Sequence, residues 1–80
     1  MASSTEYLDR QIRQDRATLA RSVNELMKTV TILAAGYDPS LDQSEQSPPV
    51  QAAWSQLTYA AGKTLADNIA LTALEAVPRA

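Results

Sequence analysis

The side chains that could do chemistry in this sequence are nine acidic and seven basic residues, with no histidine and no cysteine. Without histidine the usual general base is missing, and without both residue types disulfides and common zinc sites are excluded. No glycine-rich phosphate loop is present. Lys63 and Asp67 are four residues apart, a spacing that indicates a surface ion pair. We therefore predict no catalytic residue, no metal, no cofactor and no enzymatic activity.

Basic side chains recur along one side of the N-terminal segment, at Arg10, Arg13, Arg21 and Lys28. Such a stripe could contact nucleic-acid phosphates. However, acidic residues interleave with it, and the formal net charge of the chain is −2. This pattern is typical of a solvated face of mixed charge. We do not expect nucleic acid as a partner, although RNA or DNA binding by a helical-hairpin dimer stays an alternative.

The elements that must position these side chains are two segments on either side of a polar linker, residues 36–49. The linker holds three of the four prolines and one of the two glycines. The flanking segments have no proline before Pro78, no phenylalanine and much alanine, a composition that favours helices over strands. The sequence therefore predicts an all-α fold, with one helical-hairpin domain over residues 1–80 and long helices at about 4–35 and 48–76.

Local signals mark the helix ends. Ser3 and Glu6 fit a capping box at the start of the first helix. Gly36 suits a left-handed residue just after its end. Ser47 followed by Pro48 is typical of the start of a helix, and Pro78 stops the second one. The linker is long for a helix connection, so we expect it to be functional or loosely ordered, with a possible short helical turn over residues 39–43 and Leu41 turned inward.

The apolar residues of both segments follow helical spacing. Intervals of four and three residues separate Leu19, Val23, Leu26, Val30 and Leu33, which is a heptad seam. Arg16 continues this seam toward the N-terminus, where its stem can cover the core edge. The alternative is that this polar residue fixes the register or the choice of partner. The predicted helix-packing core is Ile12, Leu19, Val23, Leu26, Val30, Leu33, Trp54, Leu57, Ala61, Leu65, Ile69 and Thr72.

The second segment is apolar over most of its circumference, which predicts burial by more than one neighbouring helix. An isolated hairpin supplies only one neighbour. A chain of 80 residues without disulfides or metals is also marginal as a monomer. We therefore predict a homodimer that forms a four-helix bundle and binds one further protein. The candidate contacts for that partner are Met27, Ile32, Leu71 and Leu74.

These features favour a small helical protein that acts by protein–protein binding, as a regulator, inhibitor, adaptor or chaperone, and works as a dimer. No apolar run is long enough to cross a membrane, and the first residues do not form a signal peptide. We therefore expect a cytoplasmic protein without membrane contact.

The layout of a long helix, a loop bearing Ser47-Pro48-Pro49 and a second helix resembles that of type III secretion needle subunits and their small helical chaperones. The resemblance covers the layout alone. It implies an alternative function as a self-assembling structural subunit, which would polymerise through its second helix, or as a chaperone of such a subunit.

Overall fold

Good helix formers dominate the two helices of this protein, with leucine and long charged side chains in the first and alanine and leucine in the second. The computed structural model describes residues 4–78, in which α1 spans Ser4–Gly36 and α2 spans Pro48–Glu75, with no strand. The two helices pack against each other as an antiparallel hairpin. The all-helical prediction and the helix limits are confirmed to within one residue. The predicted capping box depends on Ser3, which lies outside the described residues.

The ends of α2 follow the local chemistry of the chain. Pro48 and Pro49 occupy its first turn, where proline removes no helical hydrogen bond. The amide of Gln51 donates the first bond to the Ser47 carbonyl at 2.9 Å. The last turn closes where the amide of Ala76 donates to the Thr72 carbonyl at 3.1 Å. Pro78 follows two residues later and prevents the helix from continuing.

Gly36 ends α1 for a reason different from the predicted one. No residue between 4 and 78 has a positive φ angle, so the prediction of a left-handed Gly36 is wrong. A β-carbon at this position would instead lie 2.9 Å from Cγ2 of Val50, which at 1% exposure is the most deeply buried side chain among the described residues. The glycine is therefore needed because the first turn of α2 packs directly against the last turn of α1.

The linker is folded around the buried side chain of Gln46. Its amide nitrogen donates to the carbonyls of Asp38 at 2.6 Å and Leu41 at 3.2 Å, and its amide oxygen accepts from the Asp38 amide at 3.0 Å. Gln51 adds bonds to the carbonyls of Ser44 and Gln46. The short helix in the linker is a 3₁₀ turn at Gln43–Glu45 rather than at residues 39–43. These bonds hold the linker in a compact turn between α1 and α2. Leu41 is exposed rather than inward.

The two helices meet along a line of residues with heptad spacing, which we call the inner seam. In α1 its members are Ile12, Asp15, Leu19, Ser22, Leu26, Thr29 and Leu33, and in α2 they are Val50, Ala53, Leu57, Ala60, Thr64, Asp67, Leu71 and Leu74. All of these side chains are buried or half-buried. In α1 the seam alternates leucine or isoleucine with aspartate, serine or threonine, and in α2 it includes small or polar residues at Ala53, Ala60, Thr64 and Asp67. Such small side chains allow the two helix axes to approach closely.

The hairpin is a single layer of two helices. Its principal extents are 60 × 15 × 14 Å. Among the described residues, no third long helix covers the sides of α1 and α2 that turn away from the inner seam. Within residues 4–78, no helix is long and apolar enough to cross a membrane.

Candidate protein-binding face

The predicted core divides into three groups in the structure. Ile12 is buried between the helices, and Leu19, Leu26, Leu33 and Leu57 are half-buried there. The remaining seven predicted core residues are exposed in the single chain: Val23, Val30, Trp54, Ala61, Leu65, Ile69 and Thr72. Their predicted burial is therefore not met within the hairpin, because the positions facing the other helix are one residue away, at Ser22, Thr29, Ala60 and Asp67.

Most of these exposed residues share one broad side of the hairpin. We call this side the open face and define it by Leu19, Val23, Val30 and Tyr37 from the first half of the chain and Trp54, Ala61, Leu65 and Asn68 from the second. Leu19, Val23, Ala61, Leu65 and Asn68 line a common groove of about 410 Å³ with Thr64 at the inner seam. Leu65 is 60% exposed, which is high for a leucine in the centre of a helix. The groove shows that both helices turn apolar residues to the same side.

Each end of the open face has its own chemistry. Near the linker, the rings of Tyr37 and Trp54 are stacked, with centroids 5.6 Å apart and an interplanar angle of 15°. Toward the other end, Arg16 donates to Glu75 at 2.9 Å across the two helices. Both rings and both charged side chains remain substantially exposed. Arg16 thus lies at the edge of the apolar region with its guanidinium group in solvent, as predicted for a residue at this position.

The opposite side of the hairpin is polar, and a second groove runs along it. This polar face is lined by Thr18, Arg21, Glu25, Gln56, Tyr59 and Lys63. Arg21 donates to the Thr18 hydroxyl at 3.2 Å, and Lys28 pairs with Glu25 at 3.2 Å. Intramolecular bonds therefore engage two of the four side chains in the predicted basic stripe.

A hydrogen-bonded cluster of Ser22, Lys63 and Asp67 crosses the inner seam. The Ser22 hydroxyl donates to the Asp67 carboxylate, and Lys63 donates to the same oxygen at 3.0 Å. The predicted Lys63–Asp67 pair is therefore present, although Asp67 also faces α1 rather than solvent alone. The Ser22 bond, followed by the Lys63 bond, lowers the pKa of Asp67. In the linker, hydroxyl and amide donors from Ser40 likewise lower the pKa of Asp38.

The candidate partner contacts are only partly brought together. Met27 and Ile32 are exposed and line a shallow groove on the outer side of α1. Leu71 is buried between the helices and Leu74 is half-buried there. These two leucines therefore stabilise the hairpin, and their assignment to an outward contact set is wrong for Leu71. Their heptad spacing from Leu57 and Thr64 was the signal that places them in the inner seam.

No group of three or more His, Cys, Asp or Glu side chains within residues 4–78 is arranged to hold a metal ion. The sequence matches no protein-family model and no curated protein, and the fold matches no solved structure. The open face is therefore interpreted from its own geometry.

Proposed function

We propose that this protein acts without catalysis, by binding proteins, and that it works as a homodimer in which two hairpins form a four-helix bundle. The observation that carries the proposal is the open face. It presents Val23, Val30, Trp54 and Leu65 to solvent at heptad spacing, which is the pattern of a helix that packs against another helix. Scattered exposed apolar residues are normal on protein surfaces, whereas a continuous apolar stripe indicates an interaction site.

The dimensions of the hairpin support a second copy as the occupant of this face. A rectangle of 60 × 15 Å has a projected area of about 900 Å², so one side of the hairpin is large enough to supply the roughly 800 Å² of accessible surface that each partner buries in a standard stable interface. The face also has the same periodicity as the surface it would meet, as an interface between identical chains requires. The inner seam alone is a small core, since only Ile12, Val50, Ala53, Ala60 and Leu71 are buried apolar residues among those described.

The dimer would leave the outer side of α1 free. There Met27 and Ile32 lie together among polar residues, and this groove is the contact that we propose for a further protein. The functional class would then be that of a regulator, inhibitor, adaptor or chaperone that presents a helical surface to its partner.

Two exposed side chains on α2 provide a matched test. Leu65 lies on the open face at 60% exposure and Tyr59 lies on the polar face at 68%. Leu65→Glu leaves every inner-seam residue unchanged but places a charge in the proposed interface, so light scattering should give the mass of a monomer. Tyr59→Glu should retain the mass of a dimer. Equal masses for both variants and the natural protein would contradict the proposal.

The partner contact can be tested separately with the same control. A protein captured from the native host by the natural chain and by Tyr59→Glu should be lost with Met27→Glu, while the Met27→Glu variant stays dimeric. Retention of the captured protein by Met27→Glu would exclude the α1 groove as its contact.

A second candidate function has one observation in its favour. The outer side of α2 carries exposed Ile69 with small exposed residues near it, at Gly62, Ala66, Ala70 and Ala73. This surface suits a self-assembling structural subunit that polymerises through its second helix. Negative-stain images of filaments, abolished by Ala66→Glu but not by Leu65→Glu, would favour this function over the dimer.

A further inference from the structure

The open face has a bulky end and a hollow end, and this asymmetry bears on how a second copy would bind. The bulky end carries the stacked rings of Tyr37 and Trp54. The hollow end carries the groove between Leu19, Val23, Ala61, Leu65 and Asn68. Ala61 leaves the hollow because its side chain is a single methyl group between larger neighbours.

We propose that two copies associate through the open face with their linkers at opposite ends, so that the Trp54–Tyr37 stack of each copy fills the groove of the other. This inference rests on the proposed homodimer and specifies its geometry.

The register of the chain permits this arrangement. The groove is centred near Leu65, so Trp54 lies roughly 16 Å away along α2 at 1.5 Å per residue. Consider a two-fold axis that lies in the plane of the interface, perpendicular to the helices and halfway between the stack and the groove. This axis would pass at the level of Thr29 and Ala60. These two residues do lie at one level, since Ser22 bonds Asp67 across the antiparallel helices and Thr29 and Ala60 are each seven residues from that pair, toward the linker. A single two-fold rotation therefore places the stack of each copy on the groove of the other copy.

The opposite orientation, with both linkers at the same end, gives a poorer fit. A two-fold axis parallel to the helices would place groove against groove, leaving both without a side chain to fill them, and unfilled space weakens packing. It would also bring the two linkers together. Each linker carries exposed Asp38, Asp42 and Glu45 and no basic residue, so six like charges would meet at one end.

Polar groups on the open face also complement each other in the proposed arrangement. Neither the indole of Trp54 nor the side-chain amide of Asn68 makes a hydrogen bond within residues 4–78 in the hairpin. An indole N–H has only donor capacity, and an amide oxygen can accept from it. Because each stack meets the groove that contains Asn68, the indole N–H of one copy can donate to the Asn68 oxygen of its partner, which satisfies both groups on burial.

A distance measurement between spin labels tests the orientation. The chain has no cysteine, so Gln14→Cys, at an exposed position of α1, provides a single labelling site in the full-length protein. Gln14 is fifteen residues from the level of the axis. With the linkers at opposite ends, the two labels should therefore lie about 45 Å apart. With the linkers at the same end, the labels would lie within about 30 Å, which is roughly two helix diameters plus the length of the label side chains. Arg10→Cys provides a second site, with about 57 Å expected.

The outcomes separate this inference from the proposed function. A dimeric mass with label distances near 45 and 57 Å for the two sites supports the arrangement. A dimeric mass with both distances under 30 Å overturns the orientation and leaves the dimer intact. A monomeric mass at the labelling concentration overturns both.

Discussion

The two glycines of the chain offer a prediction in which the same substitution has opposite effects. A β-carbon at Gly62 meets no atom within 4 Å, whereas a β-carbon at Gly36 lies 2.9 Å from Val50. Both residues are helical with negative φ angles, so alanine fits the backbone at either position. Only the surroundings of the two positions differ.

The magnitudes follow from helix propensity and packing. Gly62→Ala should stabilise the protein by about 1 kcal/mol, since alanine is the better helix former by that amount. At the last residue of α1 the same gain should be smaller, roughly 0.5 kcal/mol. It is opposed by a packing strain of about 1–3 kcal/mol, because Val50 is enclosed and can move little. Gly36→Ala should therefore destabilise the protein by about 0.5–2.5 kcal/mol.

Urea unfolding followed by far-UV circular dichroism, at one fixed protein concentration, measures both changes. The double variant Gly36→Ala/Val50→Ala is the control for the clash. Its loss of unfolding free energy should be smaller than the sum of the losses in the two single variants, because the atom that the new β-carbon meets has been removed. Equal stabilisation by both glycine substitutions, or strict additivity in the double variant, would refute the close approach of α1 and α2 at this end.

Three further predictions concern the polar bonds and the tryptophan. Ser22→Ala should raise the pKa of Asp67 toward 3.8 in an NMR titration, and an unchanged pKa would contradict the assigned bond. In the natural protein, the lowered pKa of this carboxylate contributes stability above pH 3.8, and this contribution is lost as the pH falls through the lowered pKa. Gln46→Ala should cost about 1–3 kcal/mol and speed amide exchange in the linker, whereas exposed Gln43→Ala should do neither. Trp54 is 40% exposed in the single chain, so its fluorescence should shift to the blue as rising concentration drives association, and a constant spectrum across a monomer–dimer transition would place it outside the interface.

The helix limits and the hairpin could be predicted from sequence because they depend on local chemistry. Prolines and alanine-rich segments act through the backbone of their own neighbourhood, whereas Gly36 is required by its contact with Val50 of the other helix. The helices accordingly lie within one residue of the predicted bounds. The ordered linker could not be predicted in the same way, since it depends on Gln46, whose bonds join atoms five to eight residues apart in a geometry that no local pattern reveals.

The choice of inner-seam residues could not be predicted from hydrophobic spacing. Val23 and Val30 extend the leucine pattern of α1 better than Ser22 and Thr29 do, and both choices keep the same intervals of three and four. The structure places the small polar pair inward, where two helices can approach closely, and leaves the valines on the open face. Periodicity thus identified the apolar side of each helix without distinguishing which neighbour that side would contact.

The central claim is that the open face is covered by a second copy of the chain, and sedimentation equilibrium of the natural protein tests it most directly. The chain has a mass of 8.7 kDa, so the dimer is twice that, about 17 kDa. Covering the exposed three-fifths of Leu65 alone should contribute about 1–2 kcal/mol per chain. We predict a mass of about 17 kDa at micromolar concentrations, falling toward 8.7 kDa only on strong dilution. A constant mass of 8.7 kDa up to millimolar concentrations would contradict the account.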